Sequence, residues 1–356
     1  FFQAVDGIRD SVASRGLGDV YKRQIFLRGP SRRIIGILVL LGGIVEPVCA
    51  QDSSDPPGSL EHIGSVEHQP VNEISGIAKS ATYDNVYWVH NDSGGGARLF
   101  AVDSSGQVII PDFMTDRFRV GQESVGDGRP LWPGTQILLS ENVDWEDIAL
   151  ADGYLFIGDM GNNSNARRDL GVYVVEEPNP RVVPATRSLR FLPVEYPEQE
   201  FFPGRKWHFD SEALFVFEEK LYFLTKHRVT GEIATAKAGT NLYRLDSNYT
   251  ARKNVLTLVG SSNDIVWPTA ASVSPDGNLL AILTLDALWL FSRPPVGDDW
   301  LSDKLREIPL PRDRTQQVEA VCWDDLKTLR IVNEQRDLFS FELTMVDSPI
   351  RGDSKP

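Results

Sequence analysis

Four glutamates, Glu73, Glu146, Glu212 and Glu319, recur along the chain, each heading a short run of small and apolar residues. Thr269 holds the same place in one further run, and the successive intervals are 73, 66, 57 and 50 residues. Carboxylates brought together repel unless something positive joins them. Ca²⁺ suits such a ring because it accepts six to eight oxygen ligands at flexible geometry. The four glutamates are therefore candidate calcium ligands. The competing reading is structural: a carboxylate at the head of a strand can accept hydrogen bonds from the backbone amides of a neighbouring sheet.

A second polar set begins 12 to 17 residues after each of these positions, at His90-Asn91-Asp92, Gly158-Asp159, Lys226-His227, Asp286 and Glu334. If both sets surround one mouth, the acids, imidazoles and lysine there could support metal-assisted hydrolysis of a phosphoester, ester or lactone. The metal would polarise the substrate oxygen, and Asp159 or His227 would act as base toward water. His90, Asp92, Lys226 and Trp207 are candidate ligand contacts, and a small molecule or carbohydrate is the candidate ligand. Against this stands the ordinary fate of polar residues at strand ends, which is to face solvent. The polar stretch "DMGNNSNARRD" (159–169) lacks the glycine and glutamate positions of an EF-hand loop and reads as a turn.

These residues need a scaffold that brings distant segments together. Apolar and polar residues alternate in runs of 4–8 bounded by Gly, Asn, Asp and Pro, which is a strand signal. Five segments share one form, beginning at "NEISGIAKS", "WEDIALADG", "SEALFVFEE", "PTAASVSPDG" and "VEAVCWDD". Third strands follow at "RLFAVD", "GVYVVEE", "NLYRLD", "ALWLFSR" and "DLFSFEL". Fourth strands are expected at "QVIIPDF", "SLRFLPVEY", "VLTLVGS" and "LREIPLP". The last unit lacks a fourth strand, and "SLEHIGSV" (59–66) is free to supply it. The pattern predicts an all-β propeller of five four-stranded blades, with six as the alternative, closed by an N-terminal strand. The insertion from about 111 to 142 reads as a lid or a mobile loop.

The segments "EISGIAKS", "VYWVHNDSG", "DWEDIAL", "IGDMGNN", "VYVVEEP" and "SEAL" resemble secreted bacterial propellers of the SdiA-regulated and phytase-like (esterase-like) groups. The resemblance spans about residues 70–345 and implies a propeller. It leaves the activity open, because propellers host many unrelated chemistries.

The chain has 356 residues and a formal net charge of -14, which argues against a nucleic-acid partner. Residues 1–24 read as non-native read-through sequence. Residues 25–50 read as a signal peptide: Arg28, Arg32 and Arg33 precede a short apolar run, and Val48-Cys49-Ala50 offers a cleavage site. Removing the 7 Lys/Arg and 4 Asp/Glu of residues 1–50 leaves 29 basic and 46 acidic residues, a net of -17. The expected product is a secreted or periplasmic protein, monomeric and without a membrane span, comprising a domain at 51–345 and a polar tail at 346–356. Cys322 would be its lone cysteine, in an apolar strand and inert.

Overall fold

A computed structural model describes residues 58–344; the expected read-through segment, signal peptide and polar tail lie outside them. Strand β1 (Gly58–Ser65) is followed by five groups of strands. Blade 1 contains β2 (Ile74–Lys79), β3 (Tyr87–Asn91), β4 (Arg98–Val102), a two-residue β5 (Val108–Ile109) and β6 (Thr135–Leu138). Blade 2 contains β7 (Trp145–Ala151), β8 (Tyr154–Asp159), β9 (Gly171–Glu176) and β10 (Ala185–Glu195). Blade 3 contains β11 (Trp207–Phe217), β12 (Lys220–Arg228), β13 (Thr240–Leu245) and β15 (Thr257–Ser262), with β14 (Asn254–Val255) running beside β10. Blade 4 contains β16 (Pro268–Val273), β17 (Leu279–Thr284), β18 (Ala287–Ser292) and β19 (Lys304–Pro309). Blade 5 contains β20 (Val318–Trp323), β21 (Thr328–Asn333) and β22 (Asp337–Leu343), and β1 completes it as the outer strand.

The inner strands touch in the cyclic order β2, β7, β11, β16, β20 and back to β2, so the chain is a closed five-bladed propeller. Closure is antiparallel, with Gly58 opposite Leu343 and Ser65 opposite Asp337. One expectation changes. "QVIIPDF" contributes only the short β5, and the outer strand of blade 1 is β6, which also runs parallel to β10 with Gln136 beside Ala185. The outer edges of blades 1 and 2 are thereby joined.

Why both faces of each strand are apolar follows from how blades stack. Successive side chains of a strand point to opposite faces, and here each face meets a different neighbour. Along β17, Leu280 and Ile282 join the cluster shared with blade 3. Ala281 and Leu283 join the one shared with blade 5. Five such clusters exist among the described residues, each between two adjacent blades. Trp88, Trp145, Trp289 and Trp323 are all buried in them. Cys322 is buried as well, and burial pushes its thiol up to about 12, which keeps it an unreactive core residue.

The long insertion of blade 1 is pinned down rather than free. Arg119 donates from Nε to the carbonyl of Arg129 at 3.0 Å and from Nη1 to that of Gln122 at 2.7 Å. Buried His68 accepts from the Gly121 amide at Nδ1 (3.2 Å), so Nε2 carries the proton given to the Trp132 carbonyl at 2.7 Å. Trp132 is itself buried, edge-on to Phe118. No helix among the described residues is long and apolar enough to cross a membrane.

Removing the chain up to Ser65 strips the outer strand from blade 5, along with Leu60 and Ile63, which pack against the two flanking clusters. The loss should be about 3 kcal/mol, and the melting temperature should fall by about 6–12 °C. An unchanged melt would show that the ring closes without β1.

Candidate functional site

The heads of the inner strands and the ends of the second strands meet at one mouth of the ring. A single backbone feature decides which side chains reach it. Every inner strand carries an irregularity where it pairs with its second strand: at Ser75, at Glu146-Asp147, at Glu212, at Thr269 and at Glu319. A bulge leaves a residue out of the ladder and re-aims its side chain.

The bulge corrects the reading of blade 1. Ser75, not Glu73, is the counterpart of Glu146, Glu212, Thr269 and Glu319. Ile77-Ala78 aligns with Ile148-Ala149, which places Glu73 two residues too early. Glu73 is half-buried in a left-handed conformation (φ 49°), and its carbonyl accepts the Asp92 amide at 2.9 Å. It belongs to neither group of converging acids. The two hydroxyls at bulge positions latch blades together. Ser75 donates to the Glu146 carbonyl at 2.7 Å, and Thr269 donates to the Val318 carbonyl at 2.9 Å.

The carboxylates converge. Oxygens of Asp92, Asp144 and Glu146 lie within 4.8 Å of one another, and so do those of Glu146, Asp210 and Glu212. Glu319 lies in the same field, beside Lys226. The hub divides into two halves by charge. In one, Lys226 Nζ sits 2.5 Å from Glu212 Oε1, and Arg228 Nη2 sits 2.8 Å from Asp210 Oδ2 and 3.4 Å from Glu212 Oε1. Burial pushes the Glu212 carboxyl up, but Lys226 and Arg228 outweigh it and hold the group below its usual range. In the other half, Asp144 and Glu146 have no cation paired with them among the described residues. Burial, then Asp92, Asp210 and Glu212, push Asp144 up to about 8, with only Arg167 opposing. Burial, Glu212 and Asp144 raise Glu146 well above the carboxylate range. Gly161 lies directly over Asp144 and Glu146, where any side chain would strike both carboxylates. These acids could hold a metal ion.

The amide-accepting role that the sequence offered to the glutamates belongs to Asp147, which sequence reasoning passed over. This wholly buried carboxylate takes the Ile148 amide at 2.8 Å, the Leu214 amide at 2.9 Å and the Ala271 amide at 3.3 Å. It thereby ties the inner strands of blades 2, 3 and 4. The available signal was its place beside Glu146, at the head of the repeated inner strand.

The remaining candidates are dispersed. Asp159 accepts from Arg167 Nη1 at 2.9 Å and from the Asp144 amide at 3.1 Å. Arg167 is delivered by "DMGNNSNARRD", whose Asn162 and Asn165 hold the Phe209 backbone and the Asp210 carboxylate of blade 3. That stretch is a brace between blades. His227 alternates with Lys226 and Arg228 along β12 and so faces away from them. Its ring stacks on His208 at 3.8 Å between centroids, and none of its hydrogen bonds or ion pairs reaches Asp159. His90 is a core imidazole: fully buried, edge-on to Trp145, with Nδ1 3.0 Å from the Asn91 carbonyl. Trp207 begins β11 and is only 8% exposed, leaving no face for a ligand. Trp267, by contrast, is half-exposed, anchored by its Nε1 to the His227 carbonyl at 2.8 Å, with the Lys226 and Arg228 cations over its ring.

No protein-family model and no curated protein matches the chain. Among solved structures it is similar to the PQQ-bound form of aldose sugar dehydrogenase from Streptomyces coelicolor, at 11% identity and a TM-score of 0.43, over 82% of this chain and 100% of that one. It is also similar to a protein of unknown function from Bacteroides thetaiotaomicron, at 11% identity and a TM-score of 0.40, over 81% of this chain and 76% of that one. A third is an inactive virginiamycin B lyase from Staphylococcus aureus, at 9% identity and a TM-score of 0.37, over 81% of this chain and 100% of that one.

The stacked imidazoles make the fold sensitive to acid. Burial and the Lys237 ammonium hold His208 down at about 4, and burial, His208 and Lys237 hold His227 at about 3, against 6.5 for a free imidazole. Between those values the unfolded chain binds more protons than the folded one, so stability falls as pH drops from about 6.5 toward 4. His208→Phe keeps a stacking ring without the titration. Its melting temperature should fall less between pH 7 and pH 4.5 than that of the parent chain, and equal falls would contradict this account.

Proposed function

We propose that this chain is an exported ligand-binding propeller that holds Ca²⁺ at its hub through Asp92, Asp144 and Glu146. The carrying observation is the imbalance between the two halves of the hub. Asp210 and Glu212 are neutralised by Arg228 and Lys226, whereas Asp144 and Glu146, crowded against Asp92, have no paired cation among the described residues. A hard cation with several oxygen ligands relieves that repulsion. In this reading the bound ion also orders the mouth at which a small molecule or carbohydrate docks, the protein acts as a monomer outside the cytoplasm, and it belongs with the SdiA-regulated and phytase-like propellers.

Hydrolysis is the weaker reading. A base must lie at the hub with a free lone pair, and Asp159 is paired with Arg167, while His227 faces away from Lys226, Arg228 and the converging acids, against His208.

Ca²⁺ at a hundred times its Kd should stabilise the chain by about 2.7 kcal/mol, raising the melting temperature by about 5–10 °C. EDTA should reverse the rise, and the Asp144→Asn, Glu146→Gln double variant should show none. Metal analysis of the purified protein without calcium, together with a melt indifferent to Ca²⁺, would remove the proposal.

A further inference from the structure

Beside the hub, on the same face, lies a pocket of about 470 Å³ between the mouth of blade 1 and its insertion. That volume falls within the range of small-molecule sites. None of the converging acids lines it. Its walls are stiff. Pro70, Pro130, Pro133 and Leu131 form an apolar side, and the insertion that carries most of them is clamped by Arg119 and His68.

Two opposite charges line this pocket, and neither side-chain charge has a partner among the described residues. Arg98, at the start of β4, is half-buried, and its guanidinium makes no hydrogen bond or ion pair with any described residue. It folds back across Gly96, whose missing side chain leaves room 3.4 Å from Nε. Glu123, on the insertion, engages its backbone with Gln69 and Arg119, yet its carboxylate is bonded to no described residue. Arg98 and Glu123 line one pocket without pairing with each other.

A guanidinium presents a planar fork that matches a carboxylate in bidentate fashion. An unpaired carboxylate across the same cavity suits an ammonium group. From Arg98, Glu123 and the proline wall between them, we infer that this pocket binds a small zwitterion: a free amino acid or dipeptide with an apolar side chain. The ligand carboxylate docks on Arg98, its amino group on Glu123, and its side chain on Pro130, Leu131 and Pro133. The amides of Gln69 and Asn72 stand at the rim.

This inference does not depend on calcium at the hub, and its test separates the two. Titration calorimetry with L-leucine and L-leucyl-L-leucine, in EDTA and again in Ca²⁺, should give binding by at least one probe in both buffers. The N-acetyl and the carboxamide forms of that probe should each bind at least tenfold more weakly. Arg98→Gln should weaken binding at least tenfold, and Glu123→Gln should do so severalfold, while both variants keep the parent's melting temperature. Failure of both probes to bind overturns the proposal. So does an N-acetyl or carboxamide form that binds as tightly as the zwitterion, or an Arg98→Gln variant with unchanged affinity.

Discussion

Carboxylates taken out of water repel one another, and the centre of this propeller is arranged around that repulsion. Three solutions stand side by side at the hub. Asp147 accepts three backbone amides, a fixed set of dipoles supplied by blades 2, 3 and 4. Asp210 and Glu212 take two long cationic side chains from the end of β12. Asp144 and Glu146, converging with Asp92, have neither among the described residues, and burial pushes both toward their protonated forms. Buried pairs offer little net stability when complete, but a buried charge left alone costs several kcal/mol. The third group is therefore the part of the hub that invites an external cation.

The backbone makes this crowding unavoidable. Each inner strand opens with a bulge at the same point, so the five side chains there reach the mouth whatever their chemistry. Where the residue is Ser75 or Thr269, its hydroxyl is short enough to bond the next blade and the position becomes a latch. Where it is Glu146, Glu212 or Glu319, the longer carboxylate extends into shared space. One scaffold position thus yields a joint or a ligand-seeking group according to side-chain length and charge.

Much of the architecture was legible because blades repeat: five look-alike units, alternating apolar strands and an unclaimed N-terminal strand suffice to predict a closed ring. Glu146, Glu212 and Glu319 were legible for the same reason. Other parts were not, for identifiable causes. A bulge shifts pairing without marking the sequence, so Glu73 was chosen where Ser75 belongs. Asp147 looks like one more acid until the amides of two distant strands close on it. His90 and Trp207 sit among turn-like residues in sequence but are packed inside. The insertion reads as a loose loop by composition, and its order comes from Arg119 and His68, whose partners are backbone groups that carry no residue-type signal.

The seal between β1 and β22 has a temporal side. The two strands lie at opposite ends of the described chain, so as the polypeptide emerges the first must wait for the last. Until then β1 has no sheet to join, and blades 1 and 5 each present an apolar face with nothing against it. Exposed edges and unpaired apolar faces are the surfaces at which nascent chains misassemble. The order of synthesis therefore makes the ring's completion its final and most vulnerable event, and a protein of this design gains from being held unfolded until its whole length has been delivered.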